Sequence, residues 1–376
     1  MQYGMGAKKR EALTFNAPAI GTFLHQVLEK TIRACLQTSG GDPAGITPEM
    51  LEQTAQTYIQ QYIQEELGGL ADKSARFRFL LEQMTASLRR ILQNVLEEMQ
   101  DSDFVPLDFE LEFSEKGEMA PITMSLDAQH QLRLVGKVDR VDGYVSGDKL
   151  YLRVVDYKSG KKEFSLSDLW NGLNLQLFIY LFALEQKGKY HYQRKTGQEL
   201  TKIVPAGALY VPAREPVVEG EANTTEEEAE AMRDKLRKRS GLLLENMAVL
   251  EAMSHQLAKG SRFLPVSLKK DGSFKSGAPL VSLAQMGQLA DHIREKLTEM
   301  GQLLLAGDVT ANPYYTNRQT DACQFCPYHP ACQFDEKDPA DSKRYFITMD
   351  TKEFWEKIGG ETDGQTMDDG SADGDL

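Results

Sequence analysis

Apolar and polar positions divide the 376-residue chain into segments of two periods. After Gly21, the residues Leu24, Val27, Leu28, Ile32 and Cys35 recur three or four apart, which predicts a helix with one buried stripe. Similar spacing predicts helices over 48–67 and 74–99, with charged outer faces. The period then falls to two. Phe109-Glu110-Leu111-Glu112-Phe113 alternates strictly, as a half-buried strand does, with both glutamates on its polar face. Two further alternating runs, rich in β-branched residues, lie between Gly136 and Gly160 and flank Ser146-Gly147-Asp148-Lys149. Beyond them, 172–186 is apolar almost all round and predicts a buried helix whose polar groups are Gln176 and Tyr180. The run 204–213 reads as another strand. Thr225 and Glu228 form a capping-box pattern opening a charged helix, whose basic run Lys235, Arg237, Lys238 and Arg239 ends at Gly241. A last long helix is expected over 282–305.

The stretch 136–160 carries the most chemistry. Glycine first in a two-residue loop suits a type II′ hairpin turn, which pairs Ser146 with Lys149 and fixes the register. Asp139 then falls opposite Asp156 on one face, with Cβ atoms roughly 4.5–5.5 Å apart. Lys158 joins that face because strand side chains alternate. On the other face Asp142 meets Arg153 as an ordinary cross-strand ion pair, and Val141 meets Val154. Two facing carboxylates without a counter-charge repel, so a cation is expected between them. A hard divalent ion held by carboxylates beside a lysine is suited to metal-assisted phosphodiester hydrolysis. Glu110 is either a solvent-facing acid or a further carboxylate for the metal. His25, at the edge of the first helical stripe, is by itself only a packed or surface residue.

Composition narrows the class. With 41% apolar and 26% charged residues, and no apolar run near the length of a membrane span, the chain has the profile of a soluble globular protein. The N-terminal stretch lacks the apolar core of a signal peptide, so a cytoplasmic location and no membrane partner are expected. The formal net charge of −13 runs against the phosphate backbone of a nucleic acid. Part of it sits in an acidic, Gly-rich tail, read as largely disordered over 347–376. Near the hairpin, Lys137, Arg140, Lys158, Lys161 and Lys162 could line a locally basic channel. No G-x-x-x-x-G-K-[ST] phosphate loop occurs, so ATP hydrolysis by this chain is not expected.

The four cysteines add a second chemistry. Cys323, Cys326 and Cys332 form C-x2-C-x5-C in a Pro-containing loop, a spacing that implies a metal. Zinc with a fourth ligand such as His329 and an iron–sulfur cluster both fit. Cys35 lies on the core stripe and reads as a small hydrophobe.

Taken in order, GTFLH with its helix, the E-x-x-F strand, GKVDRVD, VVDYKSG and Q-x-x-x-Y resemble the successive motifs of RecB-type nucleases of the PD-(D/E)XK superfamily. The C-x2-C-x5-C followed by QFD, after a long gap, resembles the nuclease region of the B subunits of bacterial AddAB helicase–nucleases over about residues 2–346. Cas4-type nucleases share these motifs but are much shorter between Lys158 and the cysteines.

The resemblance implies an α/β PD-(D/E)XK core over 1–346: a mixed sheet flanked by helices, with helical insertions at about 40–100 and 219–305 and the cysteine loop at 323–332. It implies that His25, Asp139, Asp156 and the Tyr157 backbone carbonyl hold Mg²⁺ or Mn²⁺. Lys158 would activate the attacking water, and Glu110, Gln176 and Tyr180 would support. It further implies a [4Fe–4S] cluster on Cys323, Cys326, Cys332 and a cysteine expected just before Met1, with Cys35 the less suitable fourth ligand. The implied activity is a Mg²⁺-dependent deoxyribonuclease that resects broken DNA ends for recombinational repair, alongside an AddA-type helicase–nuclease partner. The other class of function is a catalytically inactive, cluster-stabilised DNA-binding scaffold.

Overall fold

A computed structural model of the chain describes residues 17–160, 163–220, 224–317, 320–324, 326–332, 334–337 and 341–359. The chain forms two compact units. The first comprises residues up to Ser125, Gln131–Phe164 and Gln176–Leu283; the second comprises Leu126–His130, Ser165–Leu175 and residues from Ala284 onward.

The first unit is built on a six-stranded mixed sheet whose spatial order follows the sequence. Its strands are β1 (Val105–Phe113), β2 (Gly136–Ser146), β3 (Lys149–Lys158), β4 (Lys202–Pro212), β5 (Ser240–Leu244) and β6 (Leu280–Val281). β1, β2 and β3 are antiparallel neighbours. β3 pairs parallel with β4, and the crossover between them contains the Gln176–Lys187 helix, which packs on both strands. Helices α1 (Ala17–Thr38), α2 (Pro48–Glu65) and α3 (Ala75–Gln100) share a core with Phe109, Val155, Tyr157, Val211 and Ala213. Caps fix their starts. Thr47 accepts from the Met50 amide, with Pro48 in the first turn, and Ser74 accepts from the Phe77 amide.

The hairpin register is the expected one: Ser146 pairs with Lys149, Asp142 with Arg153 and Val141 with Val154. Gly147 supplies the positive φ, +61°, that the turn demands. Cys35 is fully buried on the α1 stripe.

Several expectations need correction. Asp142 and Arg153 are not an ordinary surface pair, since both are fully buried together with Arg140 and Glu98. Arg140 therefore lines no basic channel, and Lys161 and Lys162 lie outside the described residues. Gly241 ends no helix. The charged helix stops at Arg237, and 240–244 is a sheet strand paired with β4. The stretch 219–305 is thus not simply a helical insertion. Residues 172–175 form a turn, with Gly172 and Asn174 at positive φ, so the buried helix begins at Gln176.

In the second unit, the Leu283–Ala306 helix and a small sheet of Tyr314–Asn317, Thr320–Asp321 and Arg344–Tyr345 frame the cysteine loop. The segment Thr351–Gly359, read from composition as part of the acidic tail, is a helix. Its Phe354 is fully buried and packs edge-on against His292, while Lys357 stands 5.4 Å from the Trp170 ring. Residues 360–376 lie outside the described residues.

Candidate active site

Three segments of the first unit converge where the β2–β3 ladder ends. Its last paired residues on that side are Arg140 and Val155, so the Asp139 and Asp156 carboxylates stand just beyond the final ladder pair. His25 comes from α1, and its Nδ1 lies 3.3 Å from Asp139 Oδ2. That same oxygen accepts a hydrogen bond from the Tyr157 amide at 2.8 Å. Lys158 Nζ lies 2.5 Å from Asp156 Oδ2. That oxygen is buried and has no donor in good hydrogen-bond geometry, so it keeps acceptor capacity.

Glu110 enters from β1. Ligand atoms of His25, Glu110 and Asp139 all lie within 4.8 Å of one another. Asp156 stands outside that trio, drawn to Lys158. Glu110 reaches the site through a break in a strand read as regular: its φ is +52°, a conformation uncommon outside glycine. The carbonyl of the preceding Phe109 accepts instead from Arg33 Nη2 of α1, at 2.8 Å. Lys137 Nζ lies 3.2 Å from Glu110 Oε2.

Gln176 and Tyr180 stand at the start of their helix. Tyr180 is buried and stacks on Phe113, while Gln176 is exposed and donates to Tyr180 Oη at 3.4 Å. A side chain at position 136 would overlap the Tyr180 hydroxyl, which gives the glycine of GKVDRVD a packing reason.

The electrostatics fit crowded acids. Burial, with Asp139 second, pushes Asp156 up to about 6 against the pull of Lys158 and His25. Glu110 is likewise raised, by burial first and Asp139 as well, although Lys137 opposes. Burial alone would lower His25, but its hydrogen bond to Asp139 and the charges of both aspartates leave it raised. Carboxylates and one imidazole, short of counter-charge and with a buried free acceptor, are a donor set that suits a divalent cation.

A second trio of potential ligands, Asp108, Glu118 and His191, also gathers. Here the Lys195 ammonium already pairs with Asp108, and His191 Nε2 lies 3.0 Å from Asp108 Oδ2, so the charge is met from within. It reads as structural.

In the second unit Cys323, Cys326 and Cys332 carry free thiols. The Asp321 carboxylate turns the loop by accepting from the Cys323 and Gln324 amides. Cys332 closes the short His329–Cys332 helix. Burial raises the Cys323 thiol, and Asp321 and the other two thiols add to it. Thiols that oppose one another's ionisation are what a bound metal would relieve. The expected upstream cysteine would lie beyond the described residues.

What sequence reasoning missed is Lys137, the Tyr157 amide and the Arg33 strut. Lys137 sat in view as part of a basic patch; the amide and the strut leave no mark in a one-dimensional pattern.

Comparison with known proteins agrees with this geometry. A family model of the PD-(D/E)XK nuclease superfamily matches residues 1–333, and the chain belongs to that superfamily. Among curated proteins it is similar to the B subunit of the ATP-dependent helicase/deoxyribonuclease of Acetivibrio thermocellus, 30% identical over 357 residues, covering 94% of this chain and 30% of the relative. The protein of the same name from Clostridium kluyveri is 30% identical over 359 residues, covering 95% of this chain and 30% of the relative. The chain thus spans about 30% of the length of these relatives.

Proposed function

We propose that this chain is a metal-dependent deoxyribonuclease domain of a helicase–nuclease of that kind, hydrolysing phosphodiester bonds at linear DNA ends. The observation that carries this is the meeting of His25, Glu110, Asp139, Asp156 and Lys158 where one sheet ladder ends. His25, Asp139 and Asp156, with the Tyr157 carbonyl, would hold Mg²⁺ or Mn²⁺, and Glu110 lies close enough to join them. Such an ion polarises a phosphoryl oxygen and makes a bound water acidic enough to attack at neutral pH. Lys158, held on Asp156, is placed to orient the water and to steady charge developing on the phosphate. Gln176, exposed at a helix start, is placed to meet substrate, with Tyr180 behind it. The names of the relatives support an AddA-type partner and a role in end resection for recombinational repair, in the cytoplasm.

Cation uptake tests the site directly. Protons compete with a metal for raised groups such as Asp156 and His25, so lowering the pH must weaken binding. Mn²⁺ affinity is expected to fall about tenfold for each pH unit below about 6, and to be lost in Asp139→Ala. Binding that survives Asp139→Ala would place the cation elsewhere.

For the cysteine loop we propose a [4Fe–4S] cluster. Anaerobically purified protein is expected to contain iron and acid-labile sulfide, both lowered on Cys326→Ser. Zinc without iron would overturn the cluster assignment.

A further inference from the structure

We propose that Tyr157 is a positioning residue: with Arg140 it forms a brace on the far face of the hairpin that holds Asp139 and Asp156 at their working separation before a cation arrives. The inference rests on the nuclease reading only for the role of those carboxylates.

Arg140 follows Asp139, and Tyr157 follows Asp156. Neighbours in a strand point to opposite faces, so the chain that presents two carboxylates on one side presents a guanidinium and a phenol on the other. There Arg140 Nη1 donates to Tyr157 Oη at 2.7 Å, with Arg140 0% and Tyr157 3% exposed. The ladder's last pair is Arg140–Val155. Past that pair, this side-chain bond and the Tyr157 amide on Asp139 Oδ2, at 2.8 Å, link the strands where the carboxylates stand. One residue thus touches Asp139 through its backbone and Arg140 through its side chain.

The brace is itself anchored. Arg140 Nε lies 2.8 Å from Asp142 Oδ1, and Asp142 Oδ2 accepts from Arg153 Nε at 2.8 Å. Glu98 of α3 lies 3.6 Å from Arg140 and 3.7 Å from Arg153, and accepts from Arg239 at 2.7 Å. Three arginines against two carboxylates leave one net positive charge beneath Asp139 and Asp156. Across a low-dielectric layer, that charge favours the ionised carboxylates that a metal requires.

Removing only the hydroxyl, Tyr157→Phe, is the test. Tyr192→Phe, a fully buried tyrosine outside the site, controls for general loss of stability. Amide hydrogen exchange is read in metal-free protein. The Tyr157 amide is expected to be protected in the unmodified chain, and to exchange about fivefold faster in Tyr157→Phe but not in Tyr192→Phe. Mn²⁺ affinity, followed by the EPR signal of the free ion, should weaken about fivefold in Tyr157→Phe and less than twofold in the control. Unchanged exchange in Tyr157→Phe, or equal effects in both variants, overturns the brace. If Tyr157→Phe does not fold, the unmodified chain still decides: protection present without Mn²⁺ supports the brace, and protection gained only with Mn²⁺ overturns it. A chain that takes up no Mn²⁺ yet shows the exchange pattern keeps the brace and loses the nuclease reading.

Discussion

Asp156→Ala is expected to lower Mg²⁺-dependent degradation of end-labelled linear DNA, single- and double-stranded, by about 10³-fold. That corresponds to roughly 4 kcal/mol of transition-state stabilisation, within the several kcal/mol that metal-assisted charge stabilisation supplies. The variant loses a ligand and also the carboxylate that holds Lys158, so both parts of the proposed chemistry fail together. The fold should not suffer. Asp156 is buried next to Asp139 and raised to about 6, so its ionised form is disfavoured by the folded protein. Removing it relieves repulsion, while Lys158, still partly exposed, regains water. The melting temperature of the metal-free variant should equal or exceed that of the parent, the usual mark of a group kept for chemistry at the expense of stability. Cutting at the parent rate would remove Asp156 from the site. A parent chain that binds DNA without cutting it would favour the scaffold function.

The hairpin register was legible because two local rules overdetermine it: the glycine-first turn sets the pairing, and alternation sets the faces. From these alone Asp139, Asp156 and Lys158 fall together. His25 and Glu110 were legible only through resemblance to a family, since their approach depends on α1 crossing β1 and on a positive φ at Glu110. Composition misled at both ends of the second half. GLLL after a basic run reads as a helix stop, yet sheet pairing with β4 makes it a strand. TKEFWEKIG precedes an acidic, Gly-rich stretch and takes on its character, yet Phe354 gives that short helix a buried anchor. Least legible was the layer beneath the site. Glu98, Asp142 and Arg239 lie far apart in sequence, each with the profile of a surface charge, and only tertiary packing makes them one network.

That network gives the largest stability effect we expect. Glu98→Ala removes a carboxylate that is 1% exposed and faces Arg140, Arg153 and Arg239, which are 0%, 0% and 2% exposed. The arginines would be left with Asp142 as the network's only acid, and an uncompensated buried charge costs about 3–5 kcal/mol. The same figure is reached through proton linkage. Burial opposes the Glu98 charge, but Arg239, Arg153 and Arg140 more than offset this and hold it down at about 2, against an ordinary 4.5. A difference of that size is worth roughly 3 kcal/mol. Because the folded value lies below the unfolded one, this stability is fully present above about pH 4.5 and is lost as the pH falls through about 2. Urea unfolding at neutral pH should therefore show the loss, and acid should narrow the gap between variant and parent. Replacing Arg239 by methionine in the Glu98→Ala background removes one stranded charge and should recover part of the loss, although the Arg239 stack over Phe263 goes with it. A cost below about 1 kcal/mol for Glu98→Ala would mean that water reaches these arginines, and that the layer under the carboxylates is softer than its packing indicates.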